Sequence, residues 1–179
     1  MKDSTAIYEA SRQTYWPHMV MTNRVNSATI AHAQRDAAQL GVMVKLKQPG
    51  AIYPESASAL PLTIWLPHDW NSMHSAAQAE MLIHELVHVR DAQANGVLSW
   101  YVQYIHPVHR MIFEARAYAA GLQYLRSIDP NYYSDFRCKR LIAGRAQRVY
   151  DKYVWIKTAG RARRLINIFT KGMLGSLNL

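Results

Sequence analysis

With 179 residues, half of them apolar, the chain is long enough to bury the core of one folded domain, which excludes a disordered protein. Cys138 is the only cysteine, so an internal disulfide and a thiolate metal cluster are excluded. The net charge of +9 is uneven: residues 1–109 hold seven Lys/Arg and eight Asp/Glu, whereas residues 110–179 hold fourteen and four. Such a basic C-terminal third predicts an anionic partner.

The first part of the chain predicts one helix and two strands. The helix covers residues 24–40 and ends at Gly41, a residue typical of the position after a helix C-terminus. Apolar and other side chains alternate over residues 42–47, which predicts a short strand with one solvent-facing side. A second strand is predicted at 60–66, where Pro61 indicates either an edge position or pairing that begins after that residue.

Helices dominate the rest of the chain. Ser75 and Gln78 form a capping-box pattern, which predicts a helix that runs to about Ala94 and stops at Gly96. Residues 97–105 are apolar and aromatic, and they form either a short helix or a packed connection. Proline and turn signals then predict three further helices, at 107–127, 134–152 and 159–172.

This order of elements predicts an α+β fold with a small sheet. No internal repeat and no domain linker interrupts the sequence. We therefore expect a mostly helical single domain over residues 1–179, with the sheet packed on the helix that begins at Ser75. Residues 134–179 form a basic helical C-terminal extension of that domain.

One helix carries a metal-binding pattern, His84-Glu85-Leu86-Val87-His88. The two histidines are four residues apart, so their imidazoles lie one turn apart on one face and can reach a single ion. Glu85 lies about 100° around the helix from His84. It can therefore stand beside the metal as a general base without binding it. Apolar neighbours predict that this helix is buried.

A catalytic zinc ion requires a third protein ligand and an open position. Glu114 is our candidate, because an acid on an otherwise small, apolar helix face is costly unless it has a partner. The alternative is that Glu114 pairs with an arginine such as Arg110 or Arg116. His106 and His109, near the start of the same helix, are the competing third ligands.

These residues resemble the zincin superfamily, specifically its gluzincin branch, in which two histidines of the short motif and a distant glutamate hold zinc. The resemblance covers about residues 60–120 and includes small metallopeptidase-like proteins encoded by phages and bacteria. It rests on two runs, His84-Glu85-Leu86-Val87-His88-Val89-Arg90 and Glu114-Ala115-Arg116-Ala117-Tyr118. The resemblance implies a zincin-like fold, Zn2+ held by His84, His88 and Glu114, and Glu85 as the catalytic base.

The chain also departs from that family. The best-known gluzincins place an aspartate four residues after the ligand glutamate, whereas this chain has Tyr118 there. A hydrolytic oxyanion needs a second donor, for which Tyr118, His109 and Arg116 are the candidates, and we name Tyr118 beside Glu85 as a catalytic candidate. Asp91, three residues past the second histidine, is either an orienting partner or a solvated surface acid. The strand at 62–66 either pairs with an extended substrate at its edge or simply covers the motif helix.

The basic C-terminal third offers partner-binding features. Basic residues interleave with aromatic ones at Arg137, Lys139, Arg140, Arg145, Arg148, Tyr150, Tyr153 and Trp155. Such a pattern can bind nucleic acid or can be a solvated basic helix, and no nucleic-acid fold signature accompanies it. Residues 161–174 are basic and then apolar, so they pack on their own domain, dock into a larger assembly such as a phage particle, or lie on a membrane.

Two functional hypotheses follow. The first is a hydrolase, a zinc-dependent metallopeptidase that cleaves a peptide bond in protein or in peptidoglycan cross-links, with Glu85 as general base. The alternative is a structural component of a phage particle or other assembly that retains a zincin fold and its metal without efficient turnover. Glu85 favours the enzyme, because a purely structural zinc needs no base. A nucleic-acid-binding protein, the third possibility, rests on charge alone.

The sequence also bears on location. The N-terminal residues are polar and show no secretory signal pattern, and no stretch approaches the roughly 20 apolar residues of a membrane span. We therefore expect a cytoplasmic protein, or a virion-associated one if a phage encodes it.

Overall fold

The computed structural model describes residues 27–51, 57–60, 62–152 and 163–168. Within these ranges the chain is mostly helical with one small sheet, so the predicted α+β class is confirmed at that level. The elements in chain order are α1 Ser27–Gln39, β1 Met43–Leu46, β2 Ser58–Leu60, β3 Thr63–Leu66, a 3-10 turn Trp70–Ser72, α2 Ser75–Asn95, α3 Val97–Ile105, α4 Pro107–Ile128, α5 Asp135–Lys152 and α6 163–168. The predicted starts and ends at 24–26, 159–162 and 169–172 lie outside the described residues.

The sheet has the order β1-β3-β2, with β1 parallel and β2 antiparallel to β3. Leu60 pairs with Thr63, so the predicted single strand 60–66 is wrong and consists of the end of β2 and the whole of β3. Pro61 indicated an interruption in the strand, because proline has no N–H to donate to a neighbouring strand. Nothing in the sequence indicated that the chain reverses direction there. Pairing of β3 does begin after Pro61, as one alternative expected.

Strand β3 is the central strand, which decides between the alternatives left open for Pro61 and for residues 62–66. It is hydrogen-bonded to β1 on one side and to β2 on the other, so it does not lie at an edge. An extended substrate therefore cannot pair with residues 62–66. Its inward side chains, Ile64 and Leu66, are fully buried and pack with Leu82 and Leu86 of α2 in one apolar cluster. The small sheet thus covers the motif helix, as expected.

The beginning of α2 differs from the prediction in its cap. His74, rather than Ser75, is the N-cap residue, and its Nδ1 accepts a hydrogen bond from the backbone N–H of Ala76 at 3.2 Å. Gln78 Nε2 instead donates to the carbonyl of Trp70 at 2.6 Å, so the capping box is not formed. The other end was predicted well: α2 ends at Asn95, and Gly96 follows with φ 78°, a conformation that favours glycine.

Helices α2 and α4 pack closely where glycine meets glutamate. A Cβ placed on Gly121 would lie 2.8 Å from Cγ of Glu80 and 3.0 Å from its carbonyl oxygen. Neither distance leaves room for a methyl group, so the backbone of α4 can approach α2 only because residue 121 has no side chain. The two helices are therefore in close contact at this point. Ala115 of α4 is buried in a different contact, in the apolar cluster that it shares with Ile142 and Ala146 of α5.

Helix α5 belongs to the packed core. Ile142, Ala146 and Val149 share a buried cluster with Met111 and Leu122 of α4. Cys138 is buried, and its Sγ donates to the carbonyl of Tyr133 at 3.2 Å. Among the helices that the structure describes, none is at once long and apolar enough to cross a bilayer.

Candidate metal centre

Two adjacent turns of α2 and one position of α4 bring three donor groups together. His84 and His88 project from the same face of α2, with their Nε2 atoms 3.2 Å apart. Oε2 of Glu114 lies 3.4 Å from His84 Nε2, and Oε1 of Glu114 lies 3.7 Å from His88 Nε2. Within the described ranges, these three residues form the group of histidine and carboxylate side chains placed to hold a metal ion.

The spacing and chemistry of these donors fit zinc. With metal–donor bonds of about 2.0–2.2 Å in a tetrahedral site, neighbouring donor atoms lie roughly 3.3 Å apart. The three distances scatter around that value. Two imidazole nitrogens and one carboxylate oxygen are a donor set that catalytic zinc uses, with the fourth position left open. All three residues are between 4% and 8% exposed, which limits competition from solvent.

Tyr104 of α3 orients the Glu114 carboxylate by a hydrogen bond. Its hydroxyl donates a hydrogen bond to Oε1 of Glu114 at 2.5 Å. Burial, followed by the negative charge of Glu114 and this hydrogen bond, raises the pKa of Tyr104 above its ordinary value, so the hydroxyl stays protonated as a donor. Its ring stacks on Trp100, with centroids 4.8 Å apart, and meets the edge of His88 at 5.5 Å.

Sequence reasoning missed Tyr104. The available signal was the pair Trp100 and Tyr104, four residues apart in the segment 97–105. That spacing puts two large rings on one face of a helix. The opposite face of that helix is apolar as well, so periodicity did not single out the inward pair.

Glu85 is buried next to the donor cluster. It follows His84 on α2 and is 7% exposed. Its charge adds to the causes that raise the pKa of Tyr104, so its carboxylate lies within electrostatic reach of that hydroxyl. This location suits the base expected from the motif, while the role itself remains a prediction.

Tyr118 packs on one of the histidines. Its ring centroid lies 4.3 Å from that of His84, with the planes tilted by 60°. The guanidinium of Arg145 lies 5.9 Å from the Tyr118 ring. The structure thus brings Tyr118 to the site, where it contacts a donor residue, and its catalytic role remains a prediction.

The competing histidines lie away from the donors. His106 joins α3 to α4 and His109 lies in the first turn of α4, and both are exposed. Their rings are 4.9 Å from each other, and neither belongs to the buried donor group. The structure therefore favours Glu114 over both.

Asp91 is not the solvated surface acid that was one of its two interpretations. It is buried, and its Oδ1 lies 3.0 Å from Nη2 of Arg116. Burial raises the pKa of the Asp91 carboxyl, while Arg116 opposes that shift in part. Arg116, considered both as a partner for Glu114 and as an oxyanion donor, is therefore engaged with Asp91.

A buried ion pair, one helical turn before His84, links α2 to α5. Glu80 lies one turn before His84, and its carboxylate accepts hydrogen bonds from both Nε and Nη2 of Arg145. Both side chains are buried. Burial alone would lower the pKa of Arg145, but the Glu80 carboxylate reverses this and raises it, so the guanidinium stays charged although it is buried.

This ion pair also corrects the interpretation of the basic region. Arg145 was counted among the residues of a nucleic-acid surface, yet it is buried against Glu80 and cannot contact a polyanion. Lys139 and Arg140 are exposed on α5. The side chains of Arg148, Tyr150, Tyr153 and Trp155 lie outside the described part of the chain.

No protein-family model, no curated protein and no solved structure matches the chain. The resemblance to zincins therefore rests on the two runs around His84 and Glu114 and on the geometry of the donor cluster.

Proposed function

We propose that the protein is a zinc-dependent metallopeptidase. The observation that carries this proposal is the convergence of His84 Nε2, His88 Nε2 and the Glu114 carboxylate at separations close to those of tetrahedral zinc. The buried Glu85 beside them separates this arrangement from a purely structural zinc site. Structural sites are closed by four protein ligands and need no base.

The residues divide the chemistry among themselves. His84, His88 and Glu114 hold the ion, and Tyr104 orients the glutamate through its short hydrogen bond. When bound, zinc supplies Lewis acidity, which makes water a nucleophile at neutral pH and polarises a carbonyl. Glu85 accepts the proton from the attacking water and passes it to the leaving amine. Tyr118 is the candidate donor to the developing oxyanion.

The proposed substrate class rests on this chemistry together with the resemblance to metallopeptidases. A zinc site with a carboxylate base can hydrolyse amides among other carbonyl compounds, and we propose a peptide bond in protein or in peptidoglycan cross-links as the target. Because β3 is paired on both sides, an extended peptide would have to bind elsewhere than along residues 62–66.

Metal content and turnover test the proposal together. The purified protein should contain one zinc ion per chain, and His84→Ala or Glu114→Ala should lower zinc affinity by at least about 100-fold. His109→Ala, the loss of an exposed histidine outside the donor group, is the matched control and should retain zinc. A stoichiometric metal retained by His84→Ala would contradict the site.

Glu85→Gln separates catalysis from metal binding. This variant should keep zinc but lose casein or peptidoglycan cleavage by a factor of about 100 or more, because the base contributes that much to hydrolysis. Bound zinc with equal and negligible turnover in both forms would reject the peptidase. It would favour the alternative, a structural component of a phage particle or other assembly that uses the metal as a staple.

A further inference from the structure

Helix α3 exposes a continuous apolar face to solvent. Five of its nine residues and one residue in the first turn of α4 are apolar and between 44% and 78% exposed: Val97, Leu98, Tyr101, Val102, Ile105 and Val108. Positions 97, 101 and 105, with 98 and 102 beside them, are spaced by one helical turn. They therefore form a single stripe along the helix.

The opposite face of α3 holds this stripe rigidly in place. Trp100 and Tyr104 point inward, stack on each other and contact His88 and Glu114. A helix anchored by two aromatic rings cannot turn its apolar face inward without breaking the hydrogen bond from Tyr104 to Glu114. The exposed stripe is thus a fixed surface of the fold.

The extent of the stripe indicates an interaction surface. The exposed parts of its six residues together present on the order of 500 Å² of apolar surface. This is near the upper end of the ~300–600 Å² that the largest apolar patch of a monomeric protein covers. A stable protein interface covers about 800 Å² on each partner. The stripe alone is therefore too small for a stable dimer, and two copies would each carry a charge of +9.

The charges around the stripe have one sign. Residues 92–113 contain no acidic side chain, and they include one arginine, Arg110. The chain as a whole carries a net charge of +9, so an anionic surface attracts it.

We propose that the outer face of α3 docks on an anionic lipid bilayer. An amphipathic helix binds a membrane in the plane of the interface, with its apolar side chains among the acyl chains and cations near the phosphates. The stripe supplies the apolar side chains, and Tyr101 suits the level of the headgroups. Arg110, in the first turn of α4, and the net charge of +9 supply the attraction to anionic headgroups. This proposal does not depend on the proposed peptidase activity.

Vesicle binding of the full chain tests the surface. Wild-type protein should partition onto phosphatidylcholine vesicles that contain phosphatidylglycerol at least about ten-fold more than onto phosphatidylcholine alone. The double variant Leu98→Asp/Ile105→Asp should reduce that partitioning by about ten-fold or more, because it places two charges in the apolar stripe. Leu62→Asp is the matched control, since Leu62 is 58% exposed near the sheet, and it should bind as wild type does.

Three results would overturn the proposal. The first is equal vesicle binding by wild type and the double variant, which would assign binding to another part of the chain. The second is loss of binding in Leu62→Asp instead. The third is absence of vesicle binding by wild type. If light scattering then shows a dimer that the double variant dissociates, the stripe is assigned to contact with a second copy of the chain.

A labelling experiment keeps the test decisive if the double variant folds poorly. Cys138 is buried, so a single Leu98→Cys substitution offers the accessible thiol for an environment-sensitive fluorophore. The emission of that probe should shift to the blue on addition of anionic vesicles, whereas a probe at Leu62→Cys should not shift. An unchanged spectrum at residue 98 with bound protein would reject α3 as the docking surface.

Discussion

Gly121 on α4 lies against Glu80 on α2 so closely that a methyl group at residue 121 would overlap both the side chain and the carbonyl of the glutamate. The glutamate cannot move aside easily, because Arg145 holds its carboxylate from α5. The separation of α2 and α4 is therefore set by a residue without a side chain, and this separation also sets the distance between His84 and Glu114.

We expect Gly121→Ala to loosen this contact. The same change inside an unconstrained helix raises stability by about 0.5–1 kcal/mol. Here it should lower the free energy of unfolding of the metal-free protein by ~1–3 kcal/mol, because one of the two helices must shift. Zinc affinity should also fall, since Glu114 lies two turns away on the same helix. Urea unfolding and a chelator competition measure both effects, and a gain in stability would contradict the steric argument.

Tyr104→Phe should weaken metal binding while leaving the fold intact. The change removes only the hydroxyl that donates to Glu114 and keeps the ring that stacks on Trp100. Loss of such an orienting hydrogen bond raises the zinc dissociation constant by about 10–100-fold. Tyr101→Phe removes an exposed hydroxyl from the same helix and serves as the control. Equal zinc affinities for the two variants would contradict a role of Tyr104 in metal binding.

Glu80→Ala should destabilise the protein strongly. It leaves the Arg145 guanidinium buried opposite an apolar residue, which costs about 3–5 kcal/mol. The double variant Glu80→Met/Arg145→Leu should recover most of that loss, because it removes both charges at once. Chemical denaturation compares the two, and Arg164→Ala, at an exposed arginine, controls for loss of charge. A double variant as unstable as the single one would contradict the ion-pair interpretation.

Asp91 should make stability depend on pH. Burial outweighs the attraction of Arg116 and holds the pKa of this carboxyl above its ordinary value of 3.8. The folded state then binds a proton more readily than the unfolded chain between these two pKa values. The stability that Asp91 contributes is therefore present below pH 3.8, and it is lost as the pH rises through the pKa of Asp91 in the folded state.

The variant Asp91→Asn isolates this contribution. The free energy of unfolding of wild type relative to Asp91→Asn should increase as the pH is lowered through that window. Urea titrations of both proteins without metal, at about pH 7 and at about pH 4, give the difference. A difference that shrinks on acidification would mean that the pair with Arg116 outweighs burial.

The sequence predicted those features of the fold that depend on residues close together in the chain. The histidine spacing on α2, the stop at Gly96 and the start of α4 at Pro107 each depend on neighbours within one or two turns. Glu114 was selected because an acid among alanines needs a partner, and the structure places it beside both histidines.

The remaining features depend on contacts between distant segments. Glu80 and Arg145 are 65 residues apart, and either one alone resembles an ordinary helix-surface charge in the sequence. Strand β2 has only three residues, too few to show an alternating pattern, so the central position of β3 could not be inferred. His74 replaced Ser75 as the cap because an imidazole nitrogen can accept the same hydrogen bond as a hydroxyl.

The donor geometry has a consequence for the folding equilibrium. A metal ion shared by His88 and Glu114 joins α2 to α4 across the whole of α3 and closes a loop of 26 residues, from 88 to 114. The three donors come together only in the folded chain, so unfolding releases the ion and metal binding stabilises the folded state by mass action. Metal supply would then govern how long the folded chain persists in the cell as well as its chemistry.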